Sequence, residues 1–423
     1  MGGMTRSSVA TSDTTPLVTA SLGDLAAYFT RMGFTAVGGP AAHIAMLEQD
    51  LVEQRRWMTR QHFLDTLAAT QLVPGPNSTE MVIHIGYTQR GVPGMLVAGA
   101  CFMLPALLLV LAIGVGYVAF GALPQVGALF YGIQPVIVAI IVHAAYRLGR
   151  SICQRISMIV LAVAAALLTL FSVLDTVWVL VVGGLVGVAL EMGAGLARVR
   201  VLLLLPFVAE AGVGAVARAA SEAKAPLWEM ALFFLKVGAT MMGSGYVLIS
   251  YMEYDLVEGK GWLTHQELID AIAVGQMTPG PMFTTAGFVG YINQAGPGGD
   301  VVAGLVGGVI CALAIFLPSF FIVFLIAPWI PRLRQSRIAG AFLNGVNAAV
   351  VGSIAATTWT LFRAAVLNLE TPIWTLAVGG SAVDMPALAV LAVAIVVLMR
   401  TKVNSALLIA AGALVGLLLQ SVF

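Results

Sequence analysis

The chain has 423 residues, of which 60% are hydrophobic and 10% charged, with a formal net charge of +1 and a mean hydropathy of +0.97. Ordinary soluble domains carry roughly 25% charged residues, so a soluble fold is excluded, and the near-neutral balance without a basic stripe excludes a nucleic-acid partner. Three widely spaced cysteines, Cys101, Cys153 and Cys311, signal neither a disulfide framework nor a metal cluster.

Residues 1–21 are rich in Ser and Thr and lack an apolar core of signal-peptide length, so a disordered tail is expected there. Apolar stretches near the roughly 20 residues that a spanning helix needs follow at 24–47, 92–120, 127–148, 156–174 and 176–197. A polar segment from Glu210 to Pro226 interrupts them. Spans resume at 228–251, 300–329, 339–362, 385–400 and 404–422, with a weaker apolar piece near 372–380. Two further stretches, 63–89 and 268–291, are each cut by Pro-Gly-Pro. Proline removes a backbone donor and bars helical geometry before it, and glycine lets the chain turn. Each stretch is therefore expected to form two half-helices meeting at a non-helical elbow. Lipid cannot satisfy broken backbone, so the elbows belong in the protein interior or beside a water-filled cavity.

The same module occurs twice. Phe29 to Pro76 aligns with Phe234 to Pro281 without a gap, at a constant offset of 205, with 19 of 48 positions identical. The identities include Gly33/Gly238, Glu48/Glu253, Asp50/Asp255, Trp57/Trp262, Asp65/Asp270, Gln71/Gln276 and the Pro-Gly-Pro triplets. After an insertion near 293–300, Leu104-Pro105 falls on Leu317-Pro318 and Gly132-Ile133-Gln134 on Gly345-Val346-Asn347, and the likeness weakens beyond. The expected organisation is a first membrane repeat at 22–209, a linker at 210–227 and a second repeat at 228–423. Positive charge gives the orientation: Arg55, Arg56 and Arg60 follow the first span, where copy two has only Lys260, whereas the uncharged 121–126 faces Arg332, Arg334 and Arg337. If Lys and Arg mark the cytoplasmic side, the copies lie in opposite orientation. Re-entrant hairpins at the elbows would place Arg90, Arg147, Arg150, Arg155, Arg198 and Arg200 on that side too. The fold class expected is an all-α polytopic membrane protein with two inverted repeats and broken, re-entrant helices, the architecture of a secondary carrier.

A half-helix starting after an elbow aims its first amides and positive dipole end inward, which makes an anion site. The substrate-binding candidates are therefore Pro74, Gly75, Pro76, Asn77, Ser78 and Thr79 in copy one, and Pro279, Gly280, Pro281, Thr284 and Thr285 in copy two. Asn77 to Glu80 fits a capping box. Alternatively Glu80 is an intramembrane carboxylate that takes up a proton, with His84 one turn along. Copy two has no acid at that place, so coupling there would be asymmetric. Arg31 aligns with Lys236, and each precedes a glycine break, Gly38-Gly39-Pro40 or Gly243-Ser244-Gly245. Either these cations snorkel to the surface, or they supply charge to a substrate between the elbows, where Gly38, Gly39, Gly243, Ser244 and Gly245 would join them. Glu48, Asp50 and Glu53 and their repeats are expected to act as structural caps or to pair with Arg55 and Arg56, rather than to bind a cation. Asp65 and Asp270 are secondary candidates, and His43 is expected to pack or hydrogen-bond locally. No nucleophile motif, phosphate loop or metal-ligand spacing is present, so neither an enzyme nor an ATP-driven pump is expected, nor a cofactor.

The runs Gly38-Gly39-Pro40, Gln71 to Glu80 followed by His84-Ile85-Gly86-Tyr87, and Thr278-Pro279-Gly280-Pro281 followed by Phe283-Thr284-Thr285 resemble the bacterial chromate ion transporter family. The resemblance covers roughly residues 22–362, in the long-chain form with two homologous halves. It implies a cytoplasmic-membrane protein that exports chromate and confers resistance, with sulfate as the close analogue. The implied partners are a chromate- or sulfate-like oxyanion and the lipid bilayer, with a homodimer left open. A carrier of sulfate or another oxyanion, or a passive anion channel, are the alternatives.

Overall fold

The computed structural model describes residues 18–37, 39–71, 73–121, 123–193, 225–326, 336–367, 375–378, 381–401 and 403–422. Most of the tail at 1–21 and of the linker at 210–227, together with Gly38, Arg198, Arg200, Arg332 and Arg334, lie outside the described residues.

The first helix, α1 (Leu22–Thr35), opens with a capping box: Ser21 Oγ accepts from the Asp24 amide and the Asp24 carboxylate accepts from the Ser21 amide. It stops at Ala36, and α2 (Gly39–Leu47) runs on into a π-turn at Glu48–Gln54. The stretch read as one span at 24–47 is thus two helices, divided at the Gly38-Gly39-Pro40 break. α3 (Arg60–Thr70) is capped by Thr59 and leads to the first elbow. Then come α4 (Asn77–Phe120), α5 (Pro124–Ile152), α6 (Ile156–Leu170) and α7 (Thr176–Glu191).

Copy two repeats the order. α8 (Leu227–Thr240) ends before the Gly243-Ser244-Gly245 break, which splits the stretch read as a span at 228–251. α9 (Val247–Met252) passes into a π-turn at Glu253–Gly259, and α10 (His265–Met277) reaches the second elbow. A short 3-10 turn at Met282–Thr284 precedes α11 (Thr285–Ala295), followed by α12 (Val301–Ile326) and α13 (Arg337–Phe362). Within the weak apolar piece near 372–380 the described residues form β1 (Thr375–Val378), paired antiparallel with β2 (Ser381–Asp384), outside the all-helical expectation. α14 (Met385–Arg400) and α15 (Ser405–Val422) complete the described chain. Among the described helices, α4, α5, α12 and α13 with its π-extension are long and apolar enough to cross a membrane. Large apolar side chains such as Ile156, Val160, Val302, Phe321 and Leu325 are exposed on the outer faces, as a multi-pass membrane protein requires.

α4 is two helices in one. Arg90 and Gly91 leave helical geometry, with Gly91 at φ +60°, and the chain doubles back there. Gly86 on one arm then lies against Gly94 on the other, so close that a Cβ on either would strike the facing backbone. Copy two makes the same hairpin from α11 and α12, where Gly290 faces Gly307. α1 packs on α4 and α8 packs on α12, and the two hairpins pack on each other.

The later helices are exchanged between copies. α5 packs against α14 and α15 of copy two, and its counterpart α13 packs against α6 and α7 of copy one. A Cβ on Gly132 would come within 2.6 Å of the Gly416 nitrogen, and one on Gly345 within 2.8 Å of the Gly187 Cα. Gly132 and Gly345 are aligned positions, and their partners belong to a repeated pattern, Gly183-x-Leu185-Val186-Gly187 and Gly412-x-Leu414-Val415-Gly416. The duplication therefore extends past the point where the sequence alignment fades. Small residues four apart let helix backbones touch, which is how helices associate where no water drives apolar surfaces together.

Gly345→Val is expected to lower stability by about 1–3 kcal/mol through overpacking, measured as a lower unfolding temperature in detergent. Gly127→Ala, at a site with no atom within 4 Å, is expected to leave it unchanged. Equal melting of both variants would contradict the close α13–α7 contact.

Candidate functional site

Each elbow is held by the other copy. Gly75, at φ +141°, and Gly280, at φ +90°, adopt backbone that glycine alone takes readily. The Gly75 amide donates to the Met241 carbonyl at 2.7 Å, and the Gly280 amide donates to the Ala36 carbonyl at 2.8 Å. Ala36 and Met241 are the residues that end α1 and α8, and they too are related by the offset of 205. The exchange is reciprocal: a donor freed by the helix break in one copy is satisfied by an acceptor freed at a helix end in the other. A Cβ on Gly280 would sit 2.8 Å from that of Ala106, and one on Gly75 would sit 3.0 Å from Ser319 Oγ.

Beside the elbows lies a cavity of about 440 Å³ that takes residues from both copies. Of the residues the sequence put forward, Gly39, Ser78, Ser244 and Gly245 line it. Asn77 sits next to Ser78 and extends its amide toward the Gly243 carbonyl at 3.5 Å. Met282 and Phe283 bring the second elbow to the same wall. The structure adds residues that sequence reasoning did not select: His143 and Arg147 from α5, Tyr246 and Gln276 from copy two, and His43, expected to pack or hydrogen-bond locally and found doing both at the cavity edge. His43 Nε2 lies 3.2 Å from the Ala36 carbonyl, while its Nδ1, the Nδ1 of His143 and the Gln276 Nε2 have no hydrogen-bond partner among the described residues. Gln276 carried a sequence signal in its identity with Gln71. The His143–Arg147 spacing of one helical turn carried none, because nothing aligned marks it.

Thr79, Thr284 and Thr285 lie behind the cavity wall, fully or almost fully buried. Thr284 and Thr285 donate their hydroxyls back to the Pro281 and Met282 carbonyls at 2.9 and 2.7 Å. Pro74, Pro76, Pro279 and Pro281 shape the elbows and do not line the cavity.

Glu80 and His84 share a separate enclosed space of about 10 Å³, roofed by Val323 and Ile326 of α12. The Glu80 carboxylate is fully buried, and neither of its oxygens has a hydrogen-bond partner among the described residues. The capping-box reading of Asn77 to Glu80 therefore fails. Pro76 occupies the cap position without a side-chain bond, because the Asn77 side chain is turned to Gly243. At the equivalent place in copy two stands Thr285, satisfied by its own helix, so the asymmetry expected from the sequence is present.

The two cations lie elsewhere. Lys236 Nζ is 2.8 Å from Asp175 and 2.8 Å from Asp255, and Arg31 is on the exposed face of α1; neither lines the cavity. Asp175 is the N-cap of α7, more than fifty residues from Lys236 in sequence, which hid the pairing. The loop acids do form ion pairs, though not with the expected arginines. Glu48 pairs with Arg60 at 3.2 Å, and at the equivalent positions Glu253 pairs with His265 at 3.0 Å. Arg55 instead lies over the Tyr28 and Trp57 rings. Asp270 accepts from the Tyr117 hydroxyl at 2.8 Å, and Asp65 from the Gln61 amide at 2.8 Å.

Residues 23–188 and 228–417 match the family described as chromate transporter. The chain is 29% identical to a chromate transport protein of Cupriavidus metallidurans over 405 residues, covering 94% of this chain and 93% of that protein. It is 33% identical to a chromate transport protein of Pseudomonas aeruginosa over 363 residues, 84% of each chain. An uncharacterised transporter of Methanocaldococcus jannaschii is 25% identical over 339 residues, 78% of this chain and 82% of that one. No solved structure matches.

Lys236→Met is expected to lower stability by an amount on the order of 1 kcal/mol, read as a lower unfolding temperature, since the three side chains are partly exposed, and adding Asp175→Asn with Asp255→Asn is expected to restore part of it. Substrate affinity should stay within about twofold, a change small on the free-energy scale. Weakened affinity with unchanged melting would return Lys236 to the substrate site.

Proposed function

The chain belongs to the chromate transporter family, and from that premise we propose that it is a secondary carrier that exports chromate across the cytoplasmic membrane and so confers resistance. The observation that carries this reading is the reciprocal bonding of the two elbows, Gly75 to Met241 and Gly280 to Ala36, beside a polar cavity shared by both copies. Two repeats linked through helix breaks around one cavity is the arrangement in which rocking of one repeat against the other exposes a site to alternate sides.

Chromate is a tetrahedral dianion, and the first amides after the elbow, with Asn77 and Ser78, would replace part of its hydration shell. Sulfate has the same shape and charge and is the competing cargo. Orientation in the membrane is supported by the location of positive charge. Arg147, at the cavity, and Arg150 and Arg155 beyond it belong to the arginine set that marks the cytoplasmic side when the elbows are read as re-entrant. Export of a dianion from a negative interior is favourable by about 4.6 kcal/mol at 100 mV. Glu80 is the group proposed to add proton coupling. An unpaired carboxylate in an apolar enclosure is stable only when neutralised, and its neighbour His84 offers a second proton-accepting atom.

Labelled chromate flux in vesicles, with an imposed potential and with or without a proton gradient, tests this reading. Saturable flux that responds to the gradient in the wild type and loses that response in Glu80→Gln, with its affinity kept, is the expected result. Non-saturating current would replace the carrier with a channel, and flux of sulfate but not chromate would overturn the cargo.

A further inference from the structure

The cavity needs donors to hold an oxyanion, and the cations that aligned between the repeats do not provide them. Lys236 is neutralised by two aspartates and Arg31 faces outward. His43 does not serve either. With its Nε2–H donating to the Ala36 carbonyl, its Nδ1 is an acceptor in the neutral ring. Two strong donors remain on the wall. Arg147, itself exposed, lines the cavity, forms no ion pair with any described residue and stands one turn from His143 on α5. Gln276, 9% exposed, stands beside the Tyr246 hydroxyl, and its Nε2 makes no well-formed hydrogen bond among the described residues. A buried amide donor without a partner is costly, and an anion in the cavity would satisfy it.

We propose that Arg147 of copy one and Gln276 of copy two together grip the oxyanion, the guanidinium supplying charge and a planar fork of donors and the amide a fixed donor from the opposite repeat. The proposal rests on the oxyanion-carrier reading and adds to it the residues that set affinity. It also makes the site asymmetric. By the offset of 213 that relates Gly132 to Gly345, His143 and Arg147 correspond to Ala356 and Thr360. Those two residues line an enclosed space of only about 10 Å³, together with Glu253 and Glu258. One face of the pseudo-symmetric pair thus offers a cation and an open cavity, and the other offers carboxylates and a closed one.

The test compares wild type, Arg147→Lys, Arg147→Gln and Gln276→Leu in two ways: the substrate dependence of labelled chromate flux, and the rise in unfolding temperature of purified protein on adding chromate or sulfate. Arg147→Gln should raise the half-saturating concentration about tenfold or more, the scale of one charge-assisted hydrogen bond, with the maximal rate less affected. Arg147→Lys should keep part of the affinity, since charge is retained without the fork. Gln276→Leu, which removes the donor without burying a charge, should weaken stabilisation by either anion more than it changes the melting of the unliganded protein. Wild-type-like affinity in Arg147→Gln, in a protein whose parent responds to chromate, would overturn this assignment alone. A wild type stabilised by no tetrahedral oxyanion would overturn it together with the carrier reading.

Discussion

The constraint on which this structure depends is that a helix broken inside an apolar stretch frees backbone groups that lipid cannot satisfy. Pro-Gly-Pro breaks one helix in each copy, and the glycine breaks after α1 and α8 end two more. Each elbow amide finds its acceptor on the helix end of the other copy, Gly75 on Met241 and Gly280 on Ala36. Neither repeat can close its own account of donors and acceptors, so the two copies are obliged to assemble face to face. The same obligation explains the glycine contacts farther out, where Gly132 meets Gly412 and Gly416, and Gly345 meets Gly183 and Gly187. Exchange of helices between copies gives each half a long lever in the other.

Within that shared frame the copies have diverged in charge. Glu80 stands unpaired where copy two has a self-satisfied Thr285. Arg60 pairs with Glu48 where copy two pairs His265 with Glu253, and the copy-two acid is the more buried of the two. His143 and Arg147 face the cavity where copy two has Ala356 and Thr360. Backbone symmetry gives two similar ways to arrange the halves. Side-chain asymmetry makes those arrangements unequal for an anion, while the gradients across the membrane set the direction of net flux in the proposed mechanism.

The duplication, the elbows and the glycine breaks were legible in the sequence because Pro and Gly act locally and their spacing is repeated. The cavity members Gly39, Ser78, Ser244 and Gly245 followed from those breaks. Arg147 and His143 were not legible, since their role depends on where α5 passes relative to the elbows, and packing decides that. Lys236 misled for the converse reason: it looks unpaired along the chain, but Asp175 reaches it from α7. The capping pattern at Asn77 to Glu80 was a correct local motif overridden by a contact between the copies, the Asn77 amide turning to Gly243. The late repeat, Gly183 to Gly187 against Gly412 to Gly416, is plain only once helix contacts show which glycines matter.

The central claim is that one cavity between the copies is exposed to the two sides of the membrane in turn. It is tested most directly by Ser244→Cys, in a chain whose Cys101, Cys153 and Cys311 are replaced, by adding a membrane-impermeant thiol reagent to one side or the other of oriented vesicles. The account predicts reaction from the Arg147 side at rest, with reactivity from that side falling and from the opposite side rising when chromate is supplied. Reaction confined to one side under every condition, or equal and simultaneous reaction from both, would contradict it.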